Sequence, residues 1–183
     1  MALNRGTMHA FIWAPPAKFV VETPSATTID LGCSYTLQVA DDGSGLLTVD
    51  HGWVAFQTGA LESFIPAGAA CRTRPRTGPG VPFFEDAPEN FRKGLAAFDA
   101  TNGRAGLPAM LASARERDAL TLWHLLLRTR NHDRELVAAR FAALVPGVNT
   151  AALQMGDHAA LDAAWNALGL GGTDWWRTWK QKW

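Results

Sequence analysis

The hydrophobic period of this chain changes once, and that change constrains the fold more than any other feature. Up to about residue 73, apolar residues recur at every second position. Beyond about residue 90 they recur at every third or fourth. A period of 2 marks a half-buried strand and a period of 3.6 an amphipathic helix. Between the two lies a stretch crowded with Pro75, Gly78, Pro79, Gly80, Pro82 and Pro88. The expected class is therefore α+β. An all-β domain of stacked short antiparallel strands spans residues 1–73, a Pro/Gly-rich linker 74–90, and a small helical bundle 91–183. Phe83 and Phe84 within the linker suggest an arm laid down on something apolar.

In the β part, Phe19 and Val21 alternate with Lys18 and Glu22, and Tyr35, Leu37 and Val39 alternate with Ser34, Thr36 and Gln38. Leu47 and Val49, Val54 and Phe56, and a run from Leu61 to Ile65 follow. The breaks at Thr23-Pro24, Asp41-Asp42-Gly43, His51-Gly52, Thr58-Gly59 and Pro66 to Gly68 are turn chemistry: glycine supplies positive φ and proline fixes φ. Each strand has one apolar face and must stack on another layer. A sandwich, a barrel and short solenoid rungs all satisfy that pattern.

In the helical part, Gly106-Leu107-Pro108 places proline in a first helical turn. Asp118 is expected to cap a run to Arg128 so rich in leucine that the helix should be central. Asp133 is expected to cap a helix with Val137, Phe141 and Leu144 on one face, ended by Pro146. Asp157 is expected to cap another, with Leu161, Ala164, Trp165 and Leu168 at i, i+3, i+4 and i+7, stopped at Gly169. Thr173 opens a last short helix carrying Trp175, Trp176 and Trp179.

Composition narrows the function classes. With 17 basic and 17 acidic residues the formal net charge is zero, which argues against a general nucleic-acid binder. No apolar run reaches the roughly 18 residues of a membrane span. Met1 leads into Arg5, Gly6 and His9 with no apolar signal-peptide core, so the chain as written is expected to stay in the cytoplasm.

Several segments together resemble the FecR-like domain of bacterial sigma-factor regulators. A strand with Phe19 and Val21 ends in Thr23-Pro24 and the small Ser25. Leu31, Gly32 and Cys33 follow as an apolar-Gly turn, then the alternating strand of Tyr35, Leu37 and Val39, then Gly52, Val54 and Phe56. Arg5 to Phe11 matches the family segment just before the Thr-Pro pair. The match covers roughly residues 3–72. Cys33 departs from it, standing where many members carry threonine. The early strands of the family domain have no counterpart, which implies a truncated chain or a misplaced start. It also implies an open, adhesive edge on the strand near His9 to Ile12. The helical half, with its phrase from Asp118 to His124, resembles a tail seen behind such domains.

The resemblance implies a periplasmic domain of a regulator anchored in the inner membrane, a protein partner in the cell envelope, and a sigma factor bound through an N-terminal segment that this sequence does not contain. It implies a non-catalytic, regulatory role.

The candidate sites carry plainer readings beside the functional ones. Asp41, Asp42 and Asp50 suit turns, and His51 an exposed turn position. No nucleophile elbow, His-Glu-X-X-His or phosphate loop appears, so neither catalysis nor a cofactor is expected. Cys33 and Cys71 are buried thiols or, in a periplasmic domain, a disulfide; a metal site ranks last because the ligand spacing is missing. Such a disulfide would close a loop of about 38 residues and stabilise the fold by roughly 4 kcal/mol. Arg72, Arg74 and Arg76 at alternate positions would share one face of a strand, as a charged, pairing-resistant edge or a surface for an acidic partner. Trp175, Trp176 and Trp179 fit a helix closing the bundle better than an interfacial membrane helix. Two rival readings stand beside the regulator: a carbohydrate-binding module presenting Trp13 and Trp53 on one sheet face, and an enzyme whose ionisable groups meet in a deep pocket.

Overall fold

The computed structural model describes residues 1–13, 18–59, 61–103 and 105–170. Its contacts separate into two compact units, Met1–Glu85 and Asp86–Trp183. The last expected helix, with Trp175, Trp176 and Trp179, lies outside the described residues.

The first unit is built from short strands: β1 (Gly6–Phe11), β2 (Val20–Glu22), β3 (Thr27–Asp30), β4 (Ser34–Val39), β5 (Gly45–His51), β6 (Trp53–Thr58), β7 (Leu61–Pro66), β8 (Ala69–Arg74), β9 (Gly78–Pro79) and β10 (Phe83–Phe84). They form two sheets. One has the order β1-β4-β5-β8-β10 with β9 also on β8; the other has the order β2-β3-β6-β7. Every ladder between these strands is antiparallel. The chain lays two strands in one sheet and then crosses to the other, at 31–33, at Gly52 and at 67–68. The alternation seen in the sequence decides which side faces in. Tyr35, Leu37, Val39, Leu47 and Val49 from one sheet and Val21, Val54, Phe56 and Ile65 from the other are at most 4% exposed. Each such side chain contributes about 1.5–3 kcal/mol through burial.

Local turns hold this arrangement. Thr23 Oγ1 donates to the Ala26 carbonyl at 2.7 Å and accepts from the Ala26 N–H at 3.0 Å, while Ser25 Oγ donates to the Gly43 carbonyl. At two of the crossings Gly32 and Gly52 meet backbone to backbone. A Cβ on Gly52 would lie 2.0 Å from the Gly32 carbonyl oxygen, and both residues have positive φ, +90° and +72°. Only glycine fits such a close, left-handed approach.

Residues 74–90, expected as a linker, carry β9 and β10, both paired to β8. Their apolar side chains explain this: Val81, Phe83 and Phe84 are at most 4% exposed, an area that free linker would leave in water. The division between the two units falls at Glu85/Asp86.

The second unit holds α1 (Glu89–Ala100), α2 (Leu107–Ser113), a 3-10 turn (Glu116–Asp118), α3 (Ala119–Arg128), α4 (Asn131–Leu144), α5 (Thr150–Met155) and α6 (His158–Ala167). α3 is central, with Ala119 through Leu126 all buried, and it packs against α4 and α6. The Asp157 carboxylate caps α6, accepting from the Ala160 N–H at 2.8 Å. Two other expected caps do not form. The Asp118 carboxylate turns back to accept from the Arg115 backbone N–H at 2.8 Å and from its guanidinium at 2.9 and 3.0 Å. An arginine fork outcompetes a helix N–H for a buried carboxylate. Asp133 sits inside the first turn of α4, which starts two residues earlier at Asn131 with φ +51°. α1 and α5 were not resolved by periodicity; Asn149 caps α5, accepting from the Ala152 N–H at 3.1 Å.

Candidate functional site

The most unusual chemistry in the β unit is interior. β3 ends in Asp30, fully buried, and the Gly32 turn folds back over it. Asp30 Oδ1 accepts from the Gly32 N–H at 3.1 Å and from the Cys33 thiol. Tyr35, two residues on, is 1% exposed. Thr28 lies on the same face of β3 as Asp30. Thr28 Oγ1, Asp30 Oδ2 and the Tyr35 hydroxyl are buried with no hydrogen-bond partner among the described residues. Burial is the main cause of three shifts: it raises the Asp30 carboxyl, the Cys33 thiol and the Tyr35 phenol, and for the last two the neighbouring acidic groups raise them further. A thiol held neutral in this way is a poor nucleophile. Asp30 Oδ1 thus ties the Gly32 turn and the Cys33 thiol together at the β3–β4 crossing.

The sequence singled out Cys33 but gave no sign of Asp30, in a strand, β3, that the hydrophobic pattern did not mark. Cys33 and Cys71 are both buried free thiols, and the proposed disulfide does not form. Cys71 stands opposite Leu47, which stands opposite Leu37. Cys71 is thus two strands across from Cys33 and four residues along, roughly 16 Å at 3.3 Å per residue and 4.8 Å per strand. A disulfide needs Cα atoms within about 7 Å. The Cys71 thiol points to the Gly80 carbonyl instead, at 3.4 Å.

The arginines do not form one face. Arg72 and Arg74 alternate on β8, but Arg76 lies in the turn beyond it at φ +70°. Nor is β8 an edge, since β5 pairs on one side and β9 and β10 on the other. The Arg72 guanidinium lies 4.8 Å above the Phe83 ring, a cation–π contact.

Asp41 and Asp42 stand in the β4–β5 turn, whereas Asp50 and His51, expected in a turn, are the last two residues of β5. Asp41 pairs with Arg5 at 3.3 Å on the surface. Asp42 accepts from the Ser44 N–H and hydroxyl, and those bonds hold its carboxyl below the usual range. His51 Nδ1 lies 3.2 Å from Ser34 Oγ. Among the described residues no three His, Cys, Asp or Glu side chains gather where they could hold a metal ion. Trp13 and Trp53 do not share a sheet face: Trp53 belongs to β6 and stacks on Phe64 at 4.7 Å, whereas Trp13 follows β1 in the other sheet.

In the helical unit, His124 is 1% exposed. Its Nδ1–H donates to the Leu120 carbonyl at 2.9 Å, and its ring packs edge-on against Trp123 and Trp165. Burial, aided by the Arg128 charge, pushes the imidazole down to about 3, against a weaker upward pull from the Leu120 carbonyl. Asp86 bridges Arg115 at 3.2 Å and Arg117 at 3.0 Å. A groove of about 580 Å³ lies between α1 and α2, lined by Gly94, Ala97, Gly106, Ala109, Asn90 and Lys93.

Among the described residues of the β unit the exposed large apolar side chains are Met1, beside β2, and Phe11 and Trp13, at the end of β1. Phe11 is 68% and Trp13 87% exposed, and their rings meet edge to face at 5.4 Å. No described helix is long and apolar enough to cross a membrane. No family model, curated protein or solved structure matches the chain.

Proposed function

We propose that this chain is the sensing part of an envelope-signalling regulator. It is a non-catalytic FecR-like domain with a helical tail, located in the periplasm and working by protein–protein contact. It controls an extracytoplasmic-function sigma factor through a sigma-binding segment outside these 183 residues. One observation carries the reading: residues on which the resemblance rests, Thr23, Ser25 and Gly52, occupy turns held by side-chain hydrogen bonds or by a close backbone approach. A motif of that kind specifies a scaffold, and a scaffold with apolar side chains exposed on one flank suits contact with another protein.

The test is genetic. The coding sequence for residues 1–183 is deleted in frame in the native host and transcripts are profiled. A change concentrated in the genes of one extracytoplasmic-function sigma factor is expected, together with an in-frame membrane helix encoded upstream. An unchanged transcript profile, or a change in metabolic genes with no sigma regulon among them, would overturn the reading.

A further inference from the structure

We propose that two copies of this chain associate through antiparallel pairing of their β1 strands, which makes one continuous sheet across a two-fold axis. The inference stands on backbone geometry and does not depend on the sigma-regulator reading.

Of the four sheet edges among the described residues, three are guarded. β10 is two residues long. β2 is three residues long, and the chain start lies along it: the Leu3 N–H donates to the Glu22 carbonyl and the Glu22 N–H to that of Met1, both at 2.9 Å. β7 carries Glu62 and ends in Pro66, and Ser63 on it donates to the Gly80 carbonyl at 2.6 Å. Short edges, charges, prolines and covering segments are the usual defences against intermolecular pairing. Among the described residues β1 has none of them. Gly6-Thr7-Met8-His9-Ala10-Phe11 is six residues without a lysine, carboxylate or proline, and among the described residues it pairs with β4 alone.

The register shows which groups are open. The Ile12 N–H donates to the Cys33 carbonyl at 3.0 Å, so even-numbered residues of β1 face β4. Antiparallel strands alternate, and the N–H and C=O groups of Thr7, His9 and Phe11 therefore face outward.

The same strand from a second copy fits this edge for three reasons. A two-fold axis normal to the sheet keeps both apolar faces on the same side and pairs residues of equal parity. The outward groups of Thr7, His9 and Phe11 then meet their own counterparts. No fixed charge within the strand opposes a like charge, and the chain is neutral overall. Finally, Arg5, 75% exposed, stands opposite Phe11 of the second copy in one such register and opposite Trp13 in the next. Either is a cation–aromatic contact, made twice by symmetry, that covers the exposed rings.

The test is the mass of the full chain by sedimentation equilibrium across a dilution series, with the Thr7→Pro variant beside it. The Thr7 N–H faces outward, so proline there removes an intermolecular bond and none to β4. The wild type is expected at twice 19.8 kDa, dissociating on dilution, and Thr7→Pro as a folded monomer. A monomeric wild type, or a Thr7→Pro variant that dimerises equally well, would overturn the proposal. If the variant does not fold, amide exchange in the wild type decides. Protection at Thr7, His9 and Phe11 must rise with protein concentration, and exchange independent of concentration would count against pairing.

Discussion

His124 gives the fold a pH dependence that can be worked out in advance. The buried imidazole stays neutral down to about 3, whereas in the unfolded chain it titrates at its ordinary 6.5. Between those values the unfolded state binds the extra proton. Stability therefore rises with pH, is fully present above 6.5, and is lost as pH falls through the folded value. Each unit below 6.5 costs about 1.36 kcal/mol. From pH 7 to pH 5 the unfolded imidazole crosses one and a half units, so His124 alone accounts for a loss of about 2 kcal/mol. His124→Phe keeps a ring of similar size beside Trp123 and Trp165 and removes the titration. Urea unfolding of both proteins at pH 7 and pH 5, followed by tryptophan fluorescence, yields a difference of differences in which the other titrating groups cancel. The wild type should lose about 2 kcal/mol more than the variant over that interval. Equal losses, or an NMR titration of the His124 ring near 6.5, would refute the argument.

Three further outcomes are expected. Gly52→Ala should destabilise by at least about 2 kcal/mol in thermal or urea unfolding, because its Cβ would strike the Gly32 carbonyl. Gly32→Ala, which shares the positive φ but meets nothing within 4 Å, should cost only about 1–2 kcal/mol. Asp30→Asn keeps the acceptor for the Gly32 N–H and removes a carboxyl whose value burial raises above 3.8. The folded state holds the extra proton between 3.8 and that raised value, so wild-type stability falls as pH rises through it. The variant should gain on the wild type with rising pH and lose its advantage toward pH 3.8, measured by urea unfolding. Finally, Cys33 and Cys71, 5% and 0% exposed, should resist a disulfide thiol reagent in the native protein. Both should react after unfolding without reductant, and a titre of zero would restore the disulfide.

The sequence alone determined the local structure where local terms dominate. The alternation around Tyr35, Leu37 and Val39 and the 3.6-residue spacing of Leu161, Ala164 and Trp165 set element type, because burying one face rewards only one period. The Asp157 cap and the glycine turns at Gly32 and Gly52 were legible for the same reason: their partners lie within a few residues, or φ itself is diagnostic. Tertiary structure decided the rest. Which strands share a sheet, and so how far Cys33 stands from Cys71, depends on pairings between residues far apart in sequence, and strand periodicity is silent about them. Asp118 had two partners in reach, a helix N–H and the Arg115 fork, and only the folded geometry selects the stronger. Arg76 left the face of Arg72 and Arg74 because the strand stops at Arg74, where β9 turns back to pair. Asp30, unremarked in the sequence, is fully buried in the fold. Burial is a property of what packs above a residue, and a single strand does not record it.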